Sequence, residues 1–241
     1  MEVVNNQQTF AQIKRILNNH STLLDAYSLL EPMILGLFDA TRMSIFQRRR
    51  QHQDLVARFK TGKETLEIKV PISPMSIAGY VALSQKSVVI DDPYNPTLLQ
   101  SIHPRLRFAD KFDKDNDFRT QNILCVPIMN AGVLMGVIQI INKASGSFTE
   151  DDLKLGNALA LILGDKFRFE LGGTNNPFDL LVHKSLLEEA TLADIQSSTP
   201  DIRVLVQRLV SEHRISEDEI GNSLSIHYQV PFISYLPEKY H

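Results

Sequence analysis

The stretch that decides the fold is INKASGSFTEDD, at residues 141–152. An apolar, strand-like run ends in Asn142 and Lys143, and a short loop then leads to the start of a helix. Thr149 and Asp152 fit a capping box, in which the side chain of each residue binds the backbone N–H of the other. The pattern therefore predicts a strand, a loop and a helix that begins after Thr149. Lys143 and Asp152 flank the loop, and we expect a pair between them to join the strand to the helix.

The residues before this stretch predict a β-hairpin. ILCVPIM at residues 123–129 and VLMGVIQII at residues 133–141 are apolar runs separated by the turn residues Asn-Ala-Gly. The second run is polar only at Gln139, so we expect this strand to lie centrally in its sheet with both faces covered.

Apolar residues at helical spacing predict a helix near the N-terminus. Its apolar face comprises Leu23, Tyr27, Leu30, Ile34 and Leu37. These positions also approximate a heptad seam that would pair two chains, although burial against the same domain is the favoured interpretation. A polar, proline-containing segment at residues 91–121, here called the lid, connects later elements. Strands, helices and lid together predict a layered α+β fold.

The order of these patterns predicts four segments. Residues 1–20 are an N-terminal extension, and residues 21–169 form the α+β domain. Residues 170–179 are rich in glycine and asparagine and predict a linker. Residues 180–241 turn helical and predict a small second domain. The lid occupies residues 91–121, a length typical of a binding segment unless it contains short helices of its own.

Composition narrows the class of protein. The 241 residues carry 25 Lys plus Arg against 28 Asp plus Glu, a net charge of −3 that argues against a nucleic-acid partner. Cys125 is the single cysteine, so no internal disulfide is possible and a reducing compartment is expected. Neither a signal-peptide pattern nor a membrane-spanning apolar run is present. We expect a cytoplasmic protein that does not insert into membranes.

The sequence predicts no catalytic residue. Cys125 lies in an apolar strand, where a buried, inert thiol is favoured over a nucleophile. The seven histidines show no metal-ligand spacing, so no metal is expected. No phosphate-binding loop of the Walker type occurs either. We therefore expect a protein that is not an enzyme.

A family resemblance covers residues 21–169. Asn142, Lys143, Phe148 and Asp152 resemble the Asn-Lys/Phe/Asp-Glu signature of GAF domains of the cyclic-nucleotide phosphodiesterase type, although Leu153 replaces its final Glu. The resemblance extends to SIAGYVALSQKSVVIDDPYN, FDKDNDFRTQNILCVPI and GVIQIINK, in the order that this family shows. It implies a GAF-like antiparallel sheet flanked by helices. It also implies that the four signature residues form a structural clamp, whose Lys–Asp salt bridge holds the fold around a ligand.

The resemblance further implies a ligand pocket beneath the lid. The positions that match ligand contacts in the family are Ser44, Ile77, Ala78, Asp113, Asn116, Thr120 and Gln139. The implied ligand is a small molecule, with cyclic AMP or cyclic GMP as candidates. Two departures from the family pattern weaken a direct transfer of these ligand contacts to this chain. Lys60 and Thr61 stand where the family has Phe-Asp, and Asn116 and Asp117 replace its usual Thr and Gly.

The second domain has a resemblance of its own. LVSEHRISEDEIGNSLSIHYQVPFISY, at residues 209–235, resembles the helical N-terminal domain of type II secretion and type IV pilus assembly ATPases. The Arg-Leu-Gly leader that binds cyclic di-GMP in some members is missing. Before this stretch, Thr199 is predicted to cap a helix with Pro200 at its first position.

The combined prediction is a regulatory signal-transduction protein. Its GAF-like domain would sense a small ligand and pass that state to a helical docking domain, with a protein partner at that domain and a homodimer as the assembly. The alternative is a ligand-free interaction or dimerisation module of a secretion or pilus assembly system.

Overall fold

The computed structural model describes residues 2–20, 23–49, 53–61, 64–172, 174 and 176–228. The chain divides into two compact units, residues 1–172 and 173–241. The boundary lies within residues 170–179, the segment that the sequence predicts to be a linker. Over the described residues, no helix is both long and apolar enough to cross a membrane.

The first unit is a six-stranded antiparallel sheet with helices on both faces. Its elements are α1 (Glu2–Asn19), α2 (Leu23–Phe38), β1 (Ala40–Arg48), β2 (Asp54–Thr61), β3 (Glu64–Pro71), α3 (Ile77–Ser84), β4 (Val88–Ile90), α4 (Pro96–Ile102), α5 (Lys111–Asp115), β5 (Ile123–Asn130), β6 (Val133–Lys143), α6 (Glu150–Lys166) and α7 (Arg168–Gly172). The strand order is β3-β2-β1-β6-β5-β4. The α+β prediction is confirmed, and β6 is central as its apolar sequence predicts.

Alternation along β6 separates two hydrophobic cores. Ile138 and Ile140 belong to the core that α1, α2 and α6 cover, whereas Val137 and Ile141 belong to the core on the lid side. Leu30 of α2 is fully buried in the helix-side core, so the apolar face of α2 packs on its own unit, as the favoured interpretation states. Helix α1 also buries apolar side chains in that core, although its sequence suggested only an extension.

Short-range signals place the turns around β6. The β5–β6 hairpin closes at Ala131 and Gly132, which both have positive φ, as the tight turn between two strands requires. Thr149 caps α6, and its capping box with Asp152 is formed. The capping box fixes the direction in which α6 leaves the sheet.

The lid contains two short helices, α4 and α5. Asn95 caps α4 by accepting hydrogen bonds from the backbone N–H groups of Thr97 and Leu98. Leu99 and Leu106 anchor the lid because both side chains are buried in the lid-side core. The segment is therefore an ordered cover on the sheet.

The second unit is helical, with its own core. It contains α8 (Asp179–His183), α9 (Glu189–Ser198), α10 (Ile202–Ser211) and α11 (Glu217–Tyr228). Phe178, Leu181 and Leu209 are among its most buried side chains. The sequence VPFISY, at residues 230–235, is typical of a short extended tail, and it lies outside the described residues.

The predicted start of α10 is wrong by two residues. Asp201 is the cap, accepting a hydrogen bond from the N–H of Arg203, and α10 begins at Ile202. The Thr199 hydroxyl instead accepts a hydrogen bond of 2.7 Å from Arg208. Two residues with good capping side chains compete here, and the carboxylate that directly precedes the apolar stripe takes the position.

Candidate ligand-binding site

The salt bridge between Lys143 and Asp152 joins three elements of the first unit. Lys143 Nζ lies 3.1 Å from Asp152 Oδ1, and the two side chains are 14% and 8% exposed. The same Nζ donates to the Phe38 carbonyl, the last residue of α2, at 3.1 Å. Asp152 Oδ2 accepts from the backbone N–H and the hydroxyl of Thr149, at 2.7 and 2.9 Å. The pair therefore ties the ends of β6, α2 and α6 at one point.

Phe148 lies next to the salt bridge between Lys143 and Asp152. The Phe148 side chain is buried in the helix-side core, and Lys143 Nζ lies 5.9 Å from its ring centroid. A cation at that distance from an aromatic ring gains a small electrostatic attraction. Phe148 thus lies close to the Lys143 ammonium and anchors the loop in the core.

Asn142 connects the end of β6 to the end of the lid. It has a positive φ of 60°, a conformation that asparagine tolerates better than most residues. Its Oδ1 accepts from the N–H of Gln121 at 2.7 Å, and its Nδ2 donates to the Arg119 carbonyl at 2.9 Å. Asn142 therefore fixes the last residues of the lid to the central strand.

Asn122 makes the matching contacts on the other side of the loop. Its Oδ1 accepts from the N–H of Lys143 at 2.8 Å, and its Nδ2 donates to the Gly146 carbonyl at 3.0 Å. Asn122 is not among the residues predicted from the sequence. An asparagine directly before an apolar strand was the available signal, because an amide side chain that such a strand buries needs backbone partners.

Asp113 and Thr120, both predicted ligand contacts, bind each other. Asp113 Oδ2 accepts from the Thr120 N–H at 2.7 Å, and Oδ1 accepts from the Thr120 hydroxyl at 2.9 Å. The Tyr94 hydroxyl donates to Asp113 Oδ2 at 2.7 Å. These bonds hold the buried Asp113 carboxylate inside the lid.

Tyr94 is the residue of this network that sequence reasoning missed. Desolvation, together with its hydrogen bond to Asp113, raises the pKa of Tyr94 to about 12. The guanidinium of Arg119 stacks over the Tyr94 ring at 4.3 Å. The lid therefore has an internal polar framework in addition to its apolar anchors.

Ser44 and Gln139 face each other in the middle of the sheet. They are direct cross-strand partners on β1 and β6, and both are partly accessible to solvent. Phe46 and Val137, the next residues on the same face, are buried in the lid-side core. Within the described part of the chain, neither Ser44 nor Gln139 has a side-chain hydrogen bond to protein. We call this accessible polar position on the lid-side face the recess.

Among the described residues, β1 pairs with β2 over a shorter stretch than with β6. In the described residues, β1 pairs with β2 through Gln47 with Val56 and Arg48 with Leu55. The pairing of β1 with β6, by contrast, runs along most of the strand. Ser44 thus lies on a part of β1 that pairs with β6, and the described pairs of β1 with β2 lie further along the strand.

Ile77 and Ala78 lie at the start of α3 and are both buried. Ser76 caps this helix by accepting a hydrogen bond of 3.0 Å from the N–H of Gly79. Backbone N–H groups at a helix start favour an anionic group. The buried side chains of Ile77 and Ala78 therefore leave backbone groups as their means of contacting a ligand.

Asn116 is the predicted contact whose side chain is exposed, whereas the other six are buried or half-buried. Its side chain is exposed and donates to the Phe112 carbonyl at 2.8 Å. A separate cleft of about 180 Å³ lies within the lid, lined in part by Tyr94, Leu106 and Phe108. None of the predicted contacts lines this cleft.

Cys125 lies beside Gln139 as its cross-strand partner on β5. The thiol is fully buried, and this burial raises its pKa well above the ordinary value. A thiol with a raised pKa remains protonated at neutral pH, and the thiol form is a poor nucleophile.

Comparison with known families identifies the first unit. The GAF domain family model matches residues 22–165, more than half of the chain. The chain therefore belongs to the GAF domain family, whose members are typically ligand-sensing regulatory modules.

Curated relatives share this part of the chain. The chain is 31% identical over 165 residues to the dual 3',5'-cyclic-AMP and -GMP phosphodiesterase 11A of Takifugu rubripes, covering 63% of this chain and 17% of that protein. It is 32% identical over 130 residues to the rod cGMP-specific 3',5'-cyclic phosphodiesterase subunit alpha of Bos taurus, covering 48% of this chain and 14% of that protein. The chain thus spans less than a fifth of these relatives.

Solved structures support the fold. The GAF domain of a phosphoenolpyruvate-protein phosphotransferase from Coxiella burnetii aligns with a TM-score of 0.54 at 18% identity, covering 68% of this chain and 94% of that one. The free methionine-R-sulfoxide reductase of Neisseria meningitidis aligns with a TM-score of 0.52 at 16% identity, covering 68% and 88%. At these identities the likeness shows a shared fold.

Proposed function

We propose that the first unit senses a cyclic nucleotide, cyclic AMP or cyclic GMP, which binds in the recess beneath the lid. The observation that carries the proposal is the Ser44–Gln139 pair. These two polar side chains have no hydrogen-bond partner among the described residues, and they lie in the middle of a sheet beside Phe46 and Val137, which are buried on the same face. Both side chains are partly accessible, so water can satisfy them in the free protein, and a ligand that displaces this water must supply hydrogen-bond partners of its own. A purine edge supplies donors and acceptors for both side chains.

The relatives support a ligand of this chemical class. The names of the Takifugu rubripes and Bos taurus proteins assign them cyclic-nucleotide substrates. This chain matches only a small part of each, so their phosphodiesterase activity does not transfer to it. The match supports ligand recognition by the shared GAF region.

The proposal includes no catalytic step. The single thiol is buried with a raised pKa, and the described residues contain no group of three or more potential metal ligands. In this proposal, ligand binding changes the conformation of the protein. A ligand in the recess contacts the lid, and Asn142 connects the lid to the point where Lys143 meets α6. The signal follows α6 along the chain toward the second unit.

The second unit is the output in this proposal. Its resemblance to the N-terminal domain of secretion and pilus assembly ATPases supports a role in docking a protein partner. The homodimer remains a prediction from the sequence.

Calorimetric titration of the full chain with cyclic AMP and cyclic GMP tests the ligand proposal, with adenosine and guanosine as neutral controls. We expect saturable binding of one cyclic nucleotide. Gln139→Leu should weaken it about 10-fold or more, because a buried polar contact contributes about 1–3 kcal/mol. Gln100→Leu is the matched control, since Gln100 is exposed on α4 and lies outside the recess.

Absence of binding for both cyclic nucleotides would overturn the ligand proposal. It would favour the alternative of a ligand-free interaction module. One observation is compatible with that alternative: the carboxylate of Asp113, a predicted ligand contact, already binds Thr120 and Tyr94.

A further inference from the structure

Arg42 is a half-buried cation on the same face of β1 as Ser44. Arg42 and Ser44 are two residues apart, which places their Cα atoms about 7 Å from each other along the strand. Arg42 pairs with Ile141 of β6, one of the apolar residues of the lid-side core. The guanidinium therefore belongs to the rim of the recess, yet the family resemblance assigns it no role.

Two aromatic rings of the lid hold Arg42 in place. The guanidinium carbon lies 3.8 Å from the ring centroid of Phe118 and 5.3 Å from that of Phe112. Stacking of this kind uses the flat face of the guanidinium. The N–H donors point outward from the edge of the group and remain available for other partners.

The edge of the guanidinium has no acidic partner among the described residues. Within that part of the chain, the Arg42 side chain makes no hydrogen bond or ion pair, and its backbone pairs with β6. Asp113, in the same lid segment as both rings, directs its two oxygens at Thr120 and Tyr94. Arg42 is therefore a half-buried arginine whose guanidinium stacks on the lid and has no acidic partner among the described residues.

We propose that Arg42 is the anchor for the anionic group of the ligand, a phosphate or a carboxylate, and that the recess selects for anions. The inference deepens the proposed function, on which it rests for the identity of the site. The planar fork of arginine matches two oxygens of such a group, and charge-assisted bonds of this type are strong. Ser44 and Gln139 then bind the polar part of the ligand, and Arg42 binds its charge from the lid side.

The test measures the side chain of Arg42 directly by NMR, through the Nε–Hε correlation of the full chain. The signal is assigned by its loss in Arg42→Lys. Four probes are titrated at matched ionic strength: cyclic AMP, cyclic GMP, inorganic phosphate and acetate. We expect a saturable shift of the Arg42 signal with at least one probe. Phosphate and acetate separate the two anion chemistries.

Binding to variants separates anchoring from a structural role. Arg42→Gln should weaken anion binding about 10- to 100-fold, from the loss of charge-assisted hydrogen bonds. It should also remove the preference for a cyclic nucleotide over its neutral nucleoside, whereas a merely loosened lid would weaken both equally. Arg105→Gln is the control, because it removes the same charge from an exposed position on the lid.

The outcomes distinguish this inference from the proposed function. If cyclic nucleotides fail to bind but phosphate or acetate shifts the Arg42 signal and Arg42→Gln abolishes that binding, the anchor stands and the cyclic-nucleotide proposal fails. If a cyclic nucleotide binds equally well to wild type and Arg42→Gln, the cyclic-nucleotide proposal stands and the Arg42 anchor fails. If no probe shifts the signal, the anchor is refuted.

Discussion

Removal of the Asp152 carboxylate tests how much the loop joint contributes to stability. In Asp152→Ala, Lys143 loses its anionic partner and Thr149 loses two hydrogen bonds to the carboxylate. Both charged side chains are well below one-third exposed, so this is a largely buried pair. Breaking such a pair costs about 3–5 kcal/mol. Lys143 keeps its bond to the Phe38 carbonyl, which places the expected loss near the lower end, at about 3 kcal/mol.

Thermal unfolding of the full chain, followed by circular dichroism, measures this loss. A unit of this size shifts by about 2–4 °C per kcal/mol, so the midpoint should fall by about 6–12 °C. The double variant Lys143→Met with Asp152→Ala should be more stable than Asp152→Ala alone, because it leaves no unpaired buried charge.

Asp151 provides the matched control for Asp152. It is the preceding residue on α6, and its carboxylate pairs with Lys154, but both side chains are highly exposed. Exposed pairs contribute little. Asp151→Ala should therefore leave the midpoint close to that of the wild type. If Asp152→Ala behaved like Asp151→Ala, the assignment of a buried joint would be refuted.

Three further predictions concern packing, the lid and pH. Gly164→Ala should destabilise the first unit by about 2 kcal/mol or more, because the new methyl group would overlap a backbone carbonyl of β5. Gly36→Ala meets open space and should stabilise α2 by about 0.5–1 kcal/mol. Urea denaturation compares the free energies of unfolding of the two variants. Thr120→Val should cost about 1.5–3 kcal/mol in the same assay by removing a hydrogen bond to Asp113, and an unchanged midpoint would contradict the lid network. Because the fold raises the pKa of Tyr94 to about 12, its stabilising effect is complete below pH 10 and is lost as the pH rises to 12. Tyr94→Phe should remove that part of the decline in stability, and parallel pH profiles would argue against it.

Patterns confined to a few neighbouring residues were predictable from the sequence. The hairpin turn before Val133, the capping box at Thr149 and the central position of β6 depend on local geometry or on one strand's composition. The pair of Lys143 and Asp152 also followed from its position around one loop. Each of these features is specified by residues fewer than about twelve positions apart.

Features that depend on distant residues were not predictable from the sequence. Tyr94 and Asp113 are joined only because the lid folds back on itself, and Arg42 meets Phe118 only across the sheet and lid. The match to family contacts identified Asp113 and Thr120 as polar and important, but it could not show that they satisfy each other. A sequence pattern gives the type of a side chain, and its partner is set by tertiary packing.

The proposed function requires that a small ligand binds in the recess and stabilises the lid, which is already ordered, against local opening. Hydrogen–deuterium exchange of the full chain, with and without saturating cyclic AMP or cyclic GMP, tests it most directly. The account predicts slower exchange in the lid, at residues 91–121, and in β6 around Gln139, with the effect extending to the start of α6. Unchanged exchange in both segments with both nucleotides would contradict it.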